Sequence, residues 1–169
     1  MHRIRQIALF VFASIAAPLP GRAAVDVVFL HPETYSDASL YNGYGAKGRK
    51  PALEGIRDHL QSLGARYLKP GETLRVEVLD VDLAGQFEWW RPYAYDVRVL
   101  RDVTWPRMKL RYVLAGNGRR AVCPEDFVSD RVYLMNAAAR SSRDPLKYEK
   151  SMLDDWFRAR IARDGGCKR

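Results

Sequence analysis

Asp80 and Asp82, one residue apart, and the aromatic and basic side chains that follow them are the residues of this 169-residue chain best suited to chemistry. On one face of an extended segment their Cα atoms would lie about 6.5–7 Å apart. That spacing is compatible with the two carboxylates of glycan hydrolysis. It is equally compatible with solvated or turn-capping aspartates. Just beyond, Gln86-Phe-Glu-Trp-Trp-Arg-Pro-Tyr93 brings Trp89, Trp90 and Tyr93 together. Large apolar rings with polar handles suit stacking on a sugar or anchoring a protein partner, and one tryptophan could instead plug the end of the core. Arg107, Lys109 and Arg111 alternate along a third segment and, with Arg75, share one face of a sheet. Such a face is either an anion-binding surface or the charged, solvated side of an antiparallel sheet. Asp96, Arg98, Arg101 and Asp102 alternate in sign and read as cross-strand ion pairs or as a set that grips a carboxylate or phosphate.

Other chemistries lack their residues. The mature chain has no Gly-x-Ser-x-Gly elbow, phosphate loop, dinucleotide fingerprint or His-Glu-x-x-His helix. His31 and His59 are widely separated, so no metal site is expected, and no cofactor.

The elements that must position these residues are legible from periodicity. Val25–Leu30 reads as a short buried strand, and Glu33–Arg49 as a long loop with Tyr35, Tyr41 and Tyr44, either a ligand-contacting flap or a surface loop. Pro51 is placed to open a helix whose stripe is Leu53, Ile56, Leu60, Leu63 and Tyr67. Leu74, Val76 and Val78 alternate with Arg75 and Glu77 as in a half-buried strand. The phase then flips to Leu79, Val81 and Leu83, which puts Asp80 and Asp82 where Leu74 and Val76 pointed. A bulge, a twist or the end of pairing accounts for such a flip. Asp96–Arg101 is a candidate short strand. Met108–Leu114 and Arg119–Val128 flank the Asn117-Gly118 turn of a hairpin, with Pro124 marking an edge strand or bulge. Asp144-Pro145 starts a final helix with a broad apolar face from Leu146 to Ile161.

At the N-terminus, Arg3 and Arg5 precede the apolar run Ile7–Ala17, and Gly21-Arg-Ala23 supplies small residues for cleavage. Met1–Ala23 therefore reads as a secretory signal peptide, with Ala24 as an alternative cleavage point and an ordinary core helix as the competing reading. No later stretch is long enough to span a membrane. Residues 24–169 then form one domain, and 47% hydrophobic content is enough for a core. Cleavage leaves 25 of the 28 basic residues against 20 acidic ones, a net charge of +5. Outside the cytoplasm the natural partners of such a chain are an envelope protein or an anionic envelope component, and the compartment argues against nucleic acid. Cys123 and Cys167, in an oxidising periplasm, are expected to form a disulfide, with two free thiols as the alternative.

Leu79-Asp-Val-Asp-Leu-Ala-Gly85, Asp96–Arg107, Leu110-Arg-Tyr112 and Tyr148–Phe157 together resemble a bacterial family catalogued as domain of unknown function 3016. The resemblance implies export and carries no activity to transfer. The expected architecture is α+β: three or four mostly antiparallel strands with two amphipathic helices on one face. The expected function is a non-catalytic periplasmic binding or envelope accessory module using Trp89, Trp90, Tyr93 and the basic strand face. The alternative is a small envelope hydrolase using Asp80 and Asp82.

Overall fold

The computed structural model describes residues 23–91 and 95–164 of the chain. The expected signal peptide, apart from Ala23, lies outside the described residues, as do Tyr93 and Cys167. The chain begins with β1 (Ala24–Phe29), α1 (Gly45–Tyr67) and β2 (Thr73–Asp82). A two-residue pair follows, β3 (Gln86–Phe87) with β4 (Arg98–Val99), and then the hairpin β5 (Arg107–Gly116) and β6 (Arg119–Ser129). After α2 (Ala137–Ser141), α3 (Lys147–Trp156) widens into a π-helical stretch over Phe157–Asp164.

The four long strands form one sheet in the order β1-β2-β5-β6. β1 is parallel to β2, with α1 as the crossover, and the other two pairings are antiparallel. Leu74, Val76 and Val78 of β2 and Leu110 and Leu114 of β5 share a core with Ile56, Leu60 and Leu63 of α1. Leu153, Phe157 and Ile161 of the last helix complete it. Each such side chain, fully buried, contributes about 1.5–3 kcal/mol of transfer free energy, which the helical stripe and the strand alternation direct to the same side. The fold class is thus the α+β arrangement expected from the patterns, with α1 and α3 on one face of the sheet and the other face open.

Three local readings are corrected. The phase flip in β2 is a bulge: Val78 pairs with Leu110 and Asp80 with Lys109, leaving Leu79 without a partner. The extra residue resets the alternation, so Val81 returns to the core and Asp80 and Asp82 join Arg75 and Glu77 on the outer face. They do not lie where Leu74 and Val76 point, because the core retains the valine and the bulge absorbs the change of phase.

Pro51 does not open α1; it stands inside a helix that begins at Gly45. The Tyr44 carbonyl accepts the Lys47 and Gly48 N–H groups, and the Gly48 carbonyl accepts that of Leu40. The added turns have no apolar stripe, which is why periodicity alone does not reveal them.

The Glu33–Arg49 connection therefore ends at Tyr44, and its loop is fastened to the sheet. Tyr35 is buried and its hydroxyl donates to the Val78 carbonyl at 2.8 Å. Asp37 runs alongside Asp82 as an isolated parallel bridge. Pro124 falls where β6 slips register against β5, on an edge strand, as its residue type predicts.

Candidate functional site

The outer face of the sheet carries the basic candidates, each facing a carboxylate across the strands. Arg107 contacts Asp82 Oδ2 through Nε at 2.7 Å and Nη2 at 2.6 Å. Lys109 Nζ lies 2.9 Å from Glu125, and Arg111 pairs with Glu77. Glu77 also accepts from Arg75 Nε at 3.1 Å, and Arg75 reaches Asp26 at 2.6 Å. The Arg111 and Arg75 guanidiniums hold the Glu77 carboxyl below its usual range. Exposed pairs of this kind contribute about 0–1 kcal/mol each. Arg75, Arg107, Lys109 and Arg111 form a charge-compensated lattice, so a bare cationic surface is not what this face presents.

At the end of β2 the chain leaves the sheet and returns to β5 through residues 86–106. The return encloses a cleft of about 420 Å³, lined by Asp37, Asp82, Gln86, Phe87, Trp105 and Arg107 among others. Asp82 is half-buried there. Burial pushes its carboxyl up, Arg107 opposes this, and Asp37 and Asp80 add to the rise. Asp37 is neutralised by Arg98, whose Nη1 lies 2.9 Å from Oδ2 and whose Nη2 lies 3.1 Å from Oδ1. The same guanidinium donates to the Gly85 carbonyl at 2.7 Å and the Ser39 carbonyl at 2.6 Å, and it sits 4.6 Å from the centroid of the Phe87 ring. Arg98 therefore staples the segment before α1 to the start of the excursion.

Asp80 does not line this cleft. Its two oxygens accept the Ser36 N–H and the Ser36 hydroxyl, each at 2.7 Å. The bulge leaves Asp80 and Asp82 on one face, but Asp80 caps a turn while Asp82 faces the cleft, so they do not form a shared acid–base pair. The carboxylate that accompanies Asp82 in the cleft is Asp37.

The tryptophans sit outside the cleft, on the loop after β3. Trp89 is 80% exposed and Trp90 54%, their rings meeting edge to face at 5.8 Å. Neither plugs the core. Glu88, fully buried beside them, pairs with Arg101 at 2.7 Å and with Arg91. Burial pushes the Glu88 carboxyl up, but the two guanidiniums outweigh it and hold it below the usual range. Further along, the Tyr133 hydroxyl donates to the Arg101 carbonyl at 2.7 Å, and the Gly85 N–H to the Thr104 carbonyl at 2.9 Å. The exposed rings are thus displayed on a tethered base.

Glu149 of α3 underpins the same region. It is 2% exposed, and its Oε1 accepts the Ala84 N–H at 2.7 Å. Its Oε2 is buried with no hydrogen-bond partner among the described residues. Burial raises its carboxyl. His59 Nε2 lies 3.1 Å from the Lys150 carbonyl and 3.2 Å from Asp154, tying α1 to α3. Cys123 is buried on the helix side of β6. Among the described residues no group of three or more His, Cys, Asp or Glu is arranged to hold a metal ion, and no helix is long and apolar enough to cross a membrane.

Sequence reasoning found Asp82, Arg107, Trp89 and Trp90, and it singled out Arg98 and Arg101 without their partners. It missed Asp37, Gln86, Glu88 and Glu149. Asp37 and Glu149 contact this region from 45 and 65 residues away in sequence, and no local pattern marks them.

The fold and cleft define a small α+β domain with one open sheet face and an excursion between β2 and β5 that carries its distinctive side chains. The chain belongs to the family described as "Protein of unknown function (DUF3016)", whose model matches residues 23–159. No curated protein and no solved structure matches it. The segments that carry the family resemblance meet in this region: Ala84 on Glu149, Gly85 on Arg98, and Asp82 on Arg107.

Proposed function

We propose that the protein is an exported, periplasmic binding or envelope accessory module, non-catalytic, whose recognition surface is the tryptophan loop after β3. The observation that carries this reading is the pair Trp89 and Trp90, exposed to 80% and 54% on a loop held by the buried Glu88. Exposed tryptophans cost the free protein solvation and serve as anchors when a partner covers them. The partner is an envelope protein or an anionic envelope component. The charge-compensated sheet face makes the aromatic loop the stronger determinant. Export rests on the order of charged, apolar and small residues in Met1–Ala23. A Cys123–Cys167 disulfide belongs to the same reading, because an oxidising compartment would fasten the C-terminal tail to β6. Intact mass tests both.

The test is quantitative capture from a periplasmic extract by the purified protein and by a Trp89→Ala/Trp90→Ala double variant. A specific partner should fall by about tenfold or more in the double variant, since even one interface tryptophan contributes about 2 kcal/mol and hot-spot losses are not additive. Asp80→Asn should retain capture. Equal capture by the double variant would remove the tryptophan loop from the reading. A hydrolase built on Asp80 and Asp82 draws no support from the site, since Ser36 occupies both Asp80 oxygens.

A further inference from the structure

The cleft at the end of β2 offers hydrogen-bonding groups that the fold leaves unused. Arg107 spends Nε and Nη2 on Asp82 Oδ2. No hydrogen bond to Asp82 Oδ1 or from Arg107 Nη1 occurs among the described residues. The Gln86 side chain is exposed and also has no hydrogen-bond partner there. Around these polar atoms stand Phe87, Val103 and Trp105. Arg98 lies over the Phe87 ring at 4.6 Å and Arg131 over the Trp105 ring at 5.3 Å, which fixes two of these walls. A volume of about 420 Å³ falls within the range of roughly 300–1,000 Å³ in which small-molecule sites occur.

Charge narrows the ligand class. Asp37 is cancelled by Arg98, and Asp82 by Arg107. Asp80, bonded to Ser36, and Arg131, over the Trp105 ring and in no ion pair among the described residues, leave the surroundings close to neutral. Among the described lining residues a phosphate or carboxylate ligand meets no uncompensated cation, since Arg107 is paired with Asp82, whose charge repels it. A cation meets paired carboxylates and, among the described residues, no ligand cluster.

A group that both donates and accepts hydrogen bonds while carrying no charge satisfies the unused atoms. We propose that this cleft binds a neutral sugar: hydroxyls donate to Asp82 Oδ1 and the Gln86 carbonyl and accept from Arg107 Nη1 and the Gln86 amide, while ring C–H groups rest against Phe87, Val103 and Trp105. A hydroxyl is uncharged and can donate and accept at once, which suits a cleft whose lining is mostly polar. The site uses neither Trp89 nor Trp90, so it stands or falls apart from the tryptophan loop.

The test is isothermal titration of the purified protein with glucose, N-acetylglucosamine and the β-1,4-linked dimer of N-acetylglucosamine. Glucuronate and inorganic phosphate serve as charged counterparts. At least one neutral sugar should saturate with Kd of about 1 mM or tighter. Asp82→Asn should weaken it about tenfold and Gln86→Ala about threefold, with the far-ultraviolet circular dichroism of Gln86→Ala unchanged. Glucuronate should bind more weakly than glucose. The proposal is overturned if no neutral sugar saturates with Kd of about 1 mM or tighter, if both variants bind like wild type, or if glucuronate or phosphate binds more tightly than the neutral sugars.

Discussion

Replacing Glu149 by Gln should make the protein more stable at alkaline pH and leave it nearly unchanged at acid pH. Glu149 is 2% exposed, with one oxygen on the Ala84 N–H at 2.7 Å and the other without a hydrogen-bond partner among the described residues. Gln keeps the carbonyl that Ala84 needs and removes the buried charge. An ionised carboxylate out of water costs several kcal/mol. The amide N–H₂ that replaces Oε2 costs about 1–3 kcal/mol if it too lacks a partner. The balance favours Gln by about 1–3 kcal/mol at pH 8.

The sign follows from linkage. Burial raises the Glu149 carboxyl above its ordinary range in the folded state, so the folded protein binds this proton more tightly than the unfolded chain. Its contribution is most favourable below the unfolded value and is lost as pH rises towards the folded one. The Glu149→Gln variant lacks that loss. Urea denaturation of both proteins at pH 4, 6 and 8 measures the difference, and other titrating groups cancel in the comparison. The variant should gain with pH while the slope m stays constant. A variant less stable than wild type at pH 8 would refute the reasoning. It would mean that Arg98, which pulls the carboxyl down from a distance, fully compensates the buried charge.

Arg98→Lys should cost about 2–4 kcal/mol in urea denaturation, because an ammonium cannot hold Asp37, Ser39 and Gly85 at once as the guanidinium fork does. A loss under about 0.5 kcal/mol would show that the staple is dispensable. If Met1–Ala23 is a cleaved signal, protein recovered from the periplasm should begin at Ala24, or at Val25 by the alternative cleavage. Its intact mass should lie about 2 Da below that of the reduced chain if Cys123 and Cys167 are joined. An intact N-terminus or an unshifted mass removes the corresponding part of the proposal.

Residues whose partners lie one helical turn or one strand pleat away were readable from sequence. Leu74, Val76 and Val78 specify a strand face, and the stripe Ile56, Leu60 and Leu63 specifies a helix face, because backbone periodicity converts residue spacing directly into direction. All three reach the core on each element. Asn117-Gly118 announces its hairpin because both residues adopt positive φ, at 50° and 76°. The start of α1 was hidden for the converse reason: Gly45–Lys50 has no apolar spacing to betray its winding.

The exposure of Trp89 and Trp90 was open on sequence grounds, since two adjacent rings serve equally well as core or as display. A buried Glu88 held by Arg91 and Arg101, 3 and 13 residues away, determines the outcome. The cleft is of another kind. Asp82 meets Arg107 across 25 residues, Asp37 meets Arg98 across 61, and Glu149 meets Ala84 across 65.

By itself the sequence determined the class of fold, its two helical faces, its hairpin and the segments in which chemistry could reside. Each of those rests on short-range periodicity or on the allowed angles of one or two residues. Only the tertiary structure decided which charges neutralise one another and which face the bulged strand shows. It also decided that Asp82 keeps Asp37 for company while Asp80 is occupied by Ser36. Electrostatic pairing and burial depend on distance in space, and a one-residue bulge at Leu79 is enough to redirect both aspartates without altering the hydrophobic pattern that surrounds them.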